Sequence, residues 1–124
     1  MTVTFVILWM IFFHIVDDYY LQGWLASAKQ KAYWEENAPD KKYKHDYKWA
    51  LFMHGCSWAF MIMLPIAYFN NFAVDFTYLW FFVCNAIIHA EIDDLKANMK
   101  ITNLWQDQLL HMIQIAWTAF VLLF

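Results

Sequence analysis

The sequence predicts an all-α integral membrane protein, a bundle of four spanning helices with an interfacial helix or loop between the first and second spans. Three observations lead there. Of the 124 residues, 63% are hydrophobic and 22% aromatic, with only two glycines, against about half apolar in an average soluble domain. A single small core cannot hide so much Phe, Trp, Leu and Ile, and the bilayer takes the surplus. Four apolar stretches each have about the 20 residues needed to cross a hydrocarbon layer of about 30 Å as a helix. All eight lysines fall in two polar connections, and there is no arginine.

The chain reads as one transmembrane domain over residues 1–124, with spans at 3–22, 49–69, 72–93 and 104–124. The first has no positive residue ahead of it and no small-residue cleavage site, so it is expected to remain as a helix rather than be removed as a signal peptide. Between the first two spans, Gly23 to Lys48 is polar, with helical character around Leu25 to Trp34 and a break at Asn37, Ala38 and Pro39. Trp24, Tyr33, Trp34, Tyr43, Tyr47 and Trp49 suit a headgroup boundary. The short Tyr68 to Asn71 connection implies an antiparallel hairpin of spans two and three. Lys96 to Asn103 is a second short turn, with Thr102 or Asn103 as N-cap of the last helix.

Lys29, Lys31, Lys41, Lys42, Lys44 and Lys48 lie in the first connection, and Lys96 and Lys100 in the second. Cytoplasmic loops carry the lysine excess, so both connections are expected inside a bacterial cytoplasmic (inner) membrane and both termini outside. The formal net charge of −3 and the confinement of the lysines give no basis for a nucleic-acid partner. The lipid bilayer is the expected partner, and a homo-oligomer is compatible with the composition. Cys56 and Cys84 lack CxxC spacing and read as small core residues.

Every span carries a His. His14 and Asp18, His89 and Asp93, and Asp107 and His111 are each four apart, and His54 comes from the second span. Residues at i and i+4 share a helix face, so each pair aims two ligands at one place. Counting about 1.5 Å per residue, all seven fall within about 12 Å of the cytoplasmic boundary. Asp107 precedes its His on a helix running the opposite way, which puts carboxylates nearer water and imidazoles deeper on all three helices. Gln22 and Gln108 are candidates to orient ligands or bind substrate. Lys29 and Lys96 stand on the water side, where an ammonium either holds a phosphate headgroup or, as the more ordinary reading, snorkels. Asp17, Glu91 and Asp94 are expected to project elsewhere, and His45 to be exposed.

Imidazole and carboxylate ligands suit a divalent metal, zinc first, with manganese or iron as alternatives, as one or two ions. Such an ion polarises a carbonyl or phosphoryl oxygen and activates water, which is the basis of hydrolysis. A metal-dependent hydrolase acting on a lipid or membrane-associated ester, amide or phosphoester is the reading that follows, with Asp18, Asp93 and Asp107 as candidate catalytic carboxylates. Intramembrane His and Asp also mark ion or proton pathways, so a transporter or channel is the alternative. Against it, Val3 to Phe12 and Ile115 to Phe124 hold almost nothing polar. A non-catalytic phage membrane factor fits the size but leaves the cluster without a role.

The segments HIVDDYYLQGWLASAKQK from His14, HGCSWAF from His54, HAEIDDLK from His89 and WQDQLLH ending at His111 together resemble the small bacterial and phage membrane proteins grouped as domain of unknown function 3307. Over nearly the whole chain the pattern is HxxxDxxxQ, a lone His, HxxxDxxK and DQxxH. The resemblance marks His14, Asp18, Gln22, His54, His89, Asp93, Lys96, Asp107, Gln108 and His111, and implies no reaction of its own. A looser similarity to membrane-bound metal-dependent hydrolases implies a hydrolase.

Overall fold

The computed structural model describes all 124 residues and is entirely helical. Six α-helices follow in order: α1 (Val3–Val16), α2 (Leu25–Ala28), α3 (Lys31–Asn37), α4 (Asp46–Phe69), α5 (Phe76–Ala97) and α6 (Leu104–Leu123). A π-helical turn, Asp17–Leu21, prolongs α1, and a single 3-10 turn, Lys41–Tyr43, precedes α4. The four long helices form a bundle in which α4 packs against α1, α2 and α5, while α6 closes the ring against α5 and α1. Two stretches, Val3–Leu21 and Lys41–Phe69, are long and apolar enough to cross a membrane.

Local chemistry sets the helix ends. Thr2 caps α1 by accepting from the Phe5 amide, and Asp75 caps α5 by accepting from the Tyr78 amide. Asn103 and Gln106 form a reciprocal capping box at the start of α6, satisfying amides that have no intrahelical partner. The third helix starts later than position 72. Asn71 and Phe72 adopt left-handed backbone (φ 53° and 58°), and a helix cannot continue through residues of that hand. At its other end α5 runs on past Asp93 to Ala97. The polar connection holds two short helices that break at Lys29 and Gln30, and α3 stops before Pro39.

The apolar core lies at the end of the bundle away from the lysines and comprises Val6, Met10, Trp58, Ile62, Met63, Ile66, Ile115 and Ala119. α4 and α5 cross closely at Gly55, where any Cβ would collide with the Ala86 carbonyl. The side chain is missing where the two backbones meet, and this brings His54, one residue before, towards His89, one turn beyond Ala86. Around the interior, large apolar side chains face outwards on every long helix, among them Phe12, Phe60, Trp80 and Trp117.

Candidate metal centre

Asp17 and Asp18 both point into the bundle and are buried. In a regular α-helix adjacent side chains diverge by about 100°, and only one of the two could do so well. The π turn that starts at Asp17 narrows the step to about 80°, and both carboxylates reach α4. Asp17 was expected to project away. Instead its Oδ1 accepts from Ser57 Oγ (2.6 Å) and its Oδ2 lies 3.6 Å from His54 Nδ1.

On the other side of the His54 ring, Nε2 is 3.2 Å from Asp18 Oδ1 and 3.5 Å from Asp93 Oδ2. His89 Nε2 is 3.6 Å from the same Asp18 oxygen and 3.8 Å from the same Asp93 oxygen. From α6, His111 Nε2 is 3.3 Å from Asp93 Oδ1 and 3.7 Å from Asp107 Oδ1. Six of the seven expected ligands thus meet in one buried cluster. Four overlapping trios have ligand atoms within 4.8 Å of one another: Asp18/His89/His111, His54/His89/Asp93, Asp17/Asp18/His54 and Asp93/Asp107/His111.

The cluster's polar atoms are under-satisfied. Asp17 Oδ2, Asp18 Oδ1, Asp107 Oδ1, both nitrogens of His54 and of His89, and His111 Nδ1 are buried without a hydrogen-bond partner. Left so, each costs about 1–3 kcal/mol, more if charged. Ligands held at about 2.1 Å around a tetrahedral ion stand about 3.4 Å apart. The His54 and His89 contacts with Asp18 and Asp93 straddle that value and lack hydrogen-bond geometry. Donor type, spacing and lost partners all fit a divalent ion, and these buried His/Asp groups could hold one.

His14, the seventh expected ligand, lies at the edge of this set, its Nδ1 3.5 Å from Asp18 Oδ2. The Trp58 indole N–H donates to its Nδ1 (2.7 Å), and its Nε2 is 3.0 Å from Gln108 Oε1. An indole nitrogen can only donate, so Nδ1 is the acceptor, Nε2 carries the proton, and neither lone pair is free for a metal. Gln108 then donates to Asp107 Oδ2 (2.9 Å), so a relay from Trp58 through His14 fixes the Asp107 carboxylate. Gln108 thus lies between His14 and Asp107, with its amide nitrogen also 3.5 Å from Asp18 Oδ2. The Gln22 side-chain amide donates to the Asp18 backbone carbonyl of its own turn, and its Oε1 is buried without a partner.

Two lysines complete the site. Lys29 is buried rather than snorkelling, because the break between α2 and α3 turns it inwards to donate to Asp93 Oδ2 at 2.6 Å. Lys96 donates to Asp107 Oδ2, also at 2.6 Å, with its side chain 29% exposed. Four buried carboxylates face two ammonium groups, which leaves two negative charges for a cation to offset.

Trp58 forms the floor. Its ring stacks on His89 (4.3 Å between centroids), and His89 stacks on His111 (4.2 Å), so one wall of aromatic rings separates the cluster from the apolar core. Neither Trp58 nor Ser57 was singled out from sequence, though they lie four and three residues after His54 on the α4 face that bears it. Asn98, also missed, donates to Asp94 Oδ1 and the Lys29 carbonyl and accepts from the Lys31 amide, tying the α2–α3 elbow to α5. Beyond Trp58, Asn85, Gln114 and Thr118 bond to one another between α5 and α6. Glu91 and His45 are exposed, as expected. No family model, no curated protein and no solved structure matches this chain.

Proposed function

We propose that the chain is an integral membrane metalloprotein, a four-span bundle whose His/Asp centre binds a divalent ion near the cytoplasmic leaflet and acts as a hydrolase on a lipid or membrane-associated substrate. The observation that carries the reading is the set of buried nitrogen and oxygen atoms, drawn from all four long helices, that lack hydrogen-bond partners and stand at metal-ligand spacing. Zinc suits the donors best, with manganese or iron as alternatives.

The distribution of polarity supports the membrane setting. Charge and imidazole lie inside while Phe5, Leu8, Phe12, Phe60, Leu79, Trp80, Ile113, Trp117 and Phe120 face out, the reverse of a soluble fold. The 19 residues Val3–Leu21 and the 24, 22 and 20 residues of α4, α5 and α6 give lengths of about 28–36 Å, matching a hydrocarbon core of about 30 Å. The cluster sits at the lysine end of the bundle, on the inner side by the positive-inside rule. The likeness of its motifs to domain of unknown function 3307 is part of the same proposal.

A bound divalent ion supplies Lewis-acid activation of water and of a carbonyl or phosphoryl oxygen. The chain's own groups do the rest. Asp17, held by Ser57, sets a carboxylate 3.6 Å from His54 Nδ1; the Trp58–His14–Gln108 relay aims Asp107; the Trp58, His89 and His111 rings keep the apolar core from the reacting groups. Lys96, the most exposed charged group at the cluster, is placed to hold an anionic oxygen of a substrate arriving from the water side.

One observation favours a second reading. Asn85, Gln114 and Thr118 extend the polar interior beyond Trp58, as an ion or proton path would need, although the same end of the bundle is filled by the apolar cluster of Val6, Met10, Ile62, Ile66 and Ile115. Elemental analysis of detergent-purified protein before and after chelation tests the main proposal, which predicts a divalent ion that His54→Ala loses. A metal-free wild type together with proteoliposome flux abolished by His89→Ala would establish the transport reading instead.

A further inference from the structure

We infer that the cluster is built for two divalent ions bridged by the Asp93 carboxylate, one fully enclosed by the protein and the other keeping an open position that takes an anionic, phosphoryl-type group. This rests on the divalent reading above and deepens it.

The two oxygens of Asp93 face different partners. Oδ2 looks towards His54 and His89, while Oδ1 looks towards His111, whose Nε2 is also near Asp107 Oδ1. Asp18 Oδ1, His54 Nε2, His89 Nε2 and Asp93 Oδ2 offer four donor atoms, the number a tetrahedral ion takes, with each imidazole 3.2–3.8 Å from both carboxylate oxygens. An ion placed there leaves Asp107 Oδ1 buried and unpartnered on the far side of Asp93. A second ion held by Asp93 Oδ1, Asp107 Oδ1 and His111 Nε2 satisfies it, in place of the hydrogen bond that joins His111 Nε2 to Asp93 Oδ1. The stacked His89 and His111 rings, 25° from parallel, let one imidazole serve each ion side by side.

The halves differ in kind. Four protein ligands close a metal site, whereas three leave a position for water or substrate. The ligands of both halves are buried, and the one partly exposed charge at the cluster, Lys96 (side chain 29% exposed), stands beside Asp107 on the three-ligand side. Two ions turn the deficit of two charges among Asp17, Asp18, Asp93, Asp107, Lys29 and Lys96 into an excess of two. In a water-poor site that excess selects an anion over a neutral ester.

The test is to strip detergent-purified protein with chelator, reload it with Mn2+, count bound ions per chain, and record the electron paramagnetic resonance spectrum. Two ions per chain with a spin-coupled spectrum are expected in the wild type, and one ion with an uncoupled spectrum in His111→Gln. Saturation of the wild type at one ion, or two ions without coupling, overturns the bridged pair while leaving the divalent reading intact. No bound ion overturns the divalent reading itself. The wild-type result decides the matter even if the variant does not fold.

Discussion

Replacing Gly55 by Ala probes the crossing on which the centre depends. The added methyl would run into the Ala86 carbonyl, which is backbone and cannot swing aside as a side chain would. Relief requires α4 and α5 to part by on the order of 1 Å to restore ordinary van der Waals contact. Overpacking of this sort costs about 1–3 kcal/mol, and each kcal/mol lowers the unfolding midpoint by about 3–5 °C in a chain of this size. His54 and His89 lie on either side of the crossing with ring centroids 4.9 Å apart, so the same displacement spreads the ligands and is expected to weaken ion binding by about 10–100-fold, as loss of an orienting contact does. Thermal unfolding in detergent and equilibrium metal titration read the two effects. Gly23→Ala is the control: Gly23 has left-handed backbone (φ 51°), and a Cβ there would meet only the Leu21 carbonyl at ordinary van der Waals distance, so about 1–2 kcal/mol of stability should be lost with no change in ion affinity. If Gly55→Ala melts and binds like the wild type, the close crossing does not set the geometry of the centre.

Four further outcomes follow from the same contacts. Asp17→Asn and Ser57→Ala should each lower ion affinity about 10–100-fold without changing the number of ions, whereas loss of an ion in Ser57→Ala would make Asp17 a ligand rather than an orienter of His54. His14→Ala should keep the full ion content and lose about 1–3 kcal/mol of stability through the unpaired Trp58 and Gln108 groups, which elemental analysis and thermal unfolding would check together. Lys29→Met should destabilise the metal-free protein by about 3–5 kcal/mol, since it leaves Asp93 buried and unpaired; added divalent ion should shrink that gap, and an equal gap with and without metal would count against Asp93 as a ligand. Inorganic phosphate should bind the metal-loaded protein and not the stripped one, with Lys96→Gln weakening it about tenfold by isothermal titration, as befits one partly exposed charge-assisted hydrogen bond; equal affinity in the two proteins would remove Lys96 from anion binding.

The all-helical class and the partners Asp18, His54, His89, Asp93, Asp107 and His111 were legible in the sequence because i and i+4 spacing fixes direction on a helix whatever surrounds it. Asp17 was not, since its inward turn depends on a π step that breaks the α period used to place it. His14 has the same spacing as His89, and only Trp58, 44 residues away, and Gln108 on α6 show what its nitrogens bond to. Lys29 read as a surface lysine because the elbow that buries it is held from α5 by Asn98. The start of α5 was placed at Phe72 on hydropathy alone, and hydropathy carries no information about the left-handed turn at Asn71 and Phe72.

The central claim is that the side chains of α1, α4, α5 and α6 converge to grip a cation. An anomalous-difference map from crystals of the zinc-loaded protein, recorded at the zinc edge, tests it most directly. The account predicts density about 2.0–2.2 Å from His54 Nε2, His89 Nε2, Asp18 and Asp93. A map with no peak there, or with zinc bound only at the exposed His45, would contradict it.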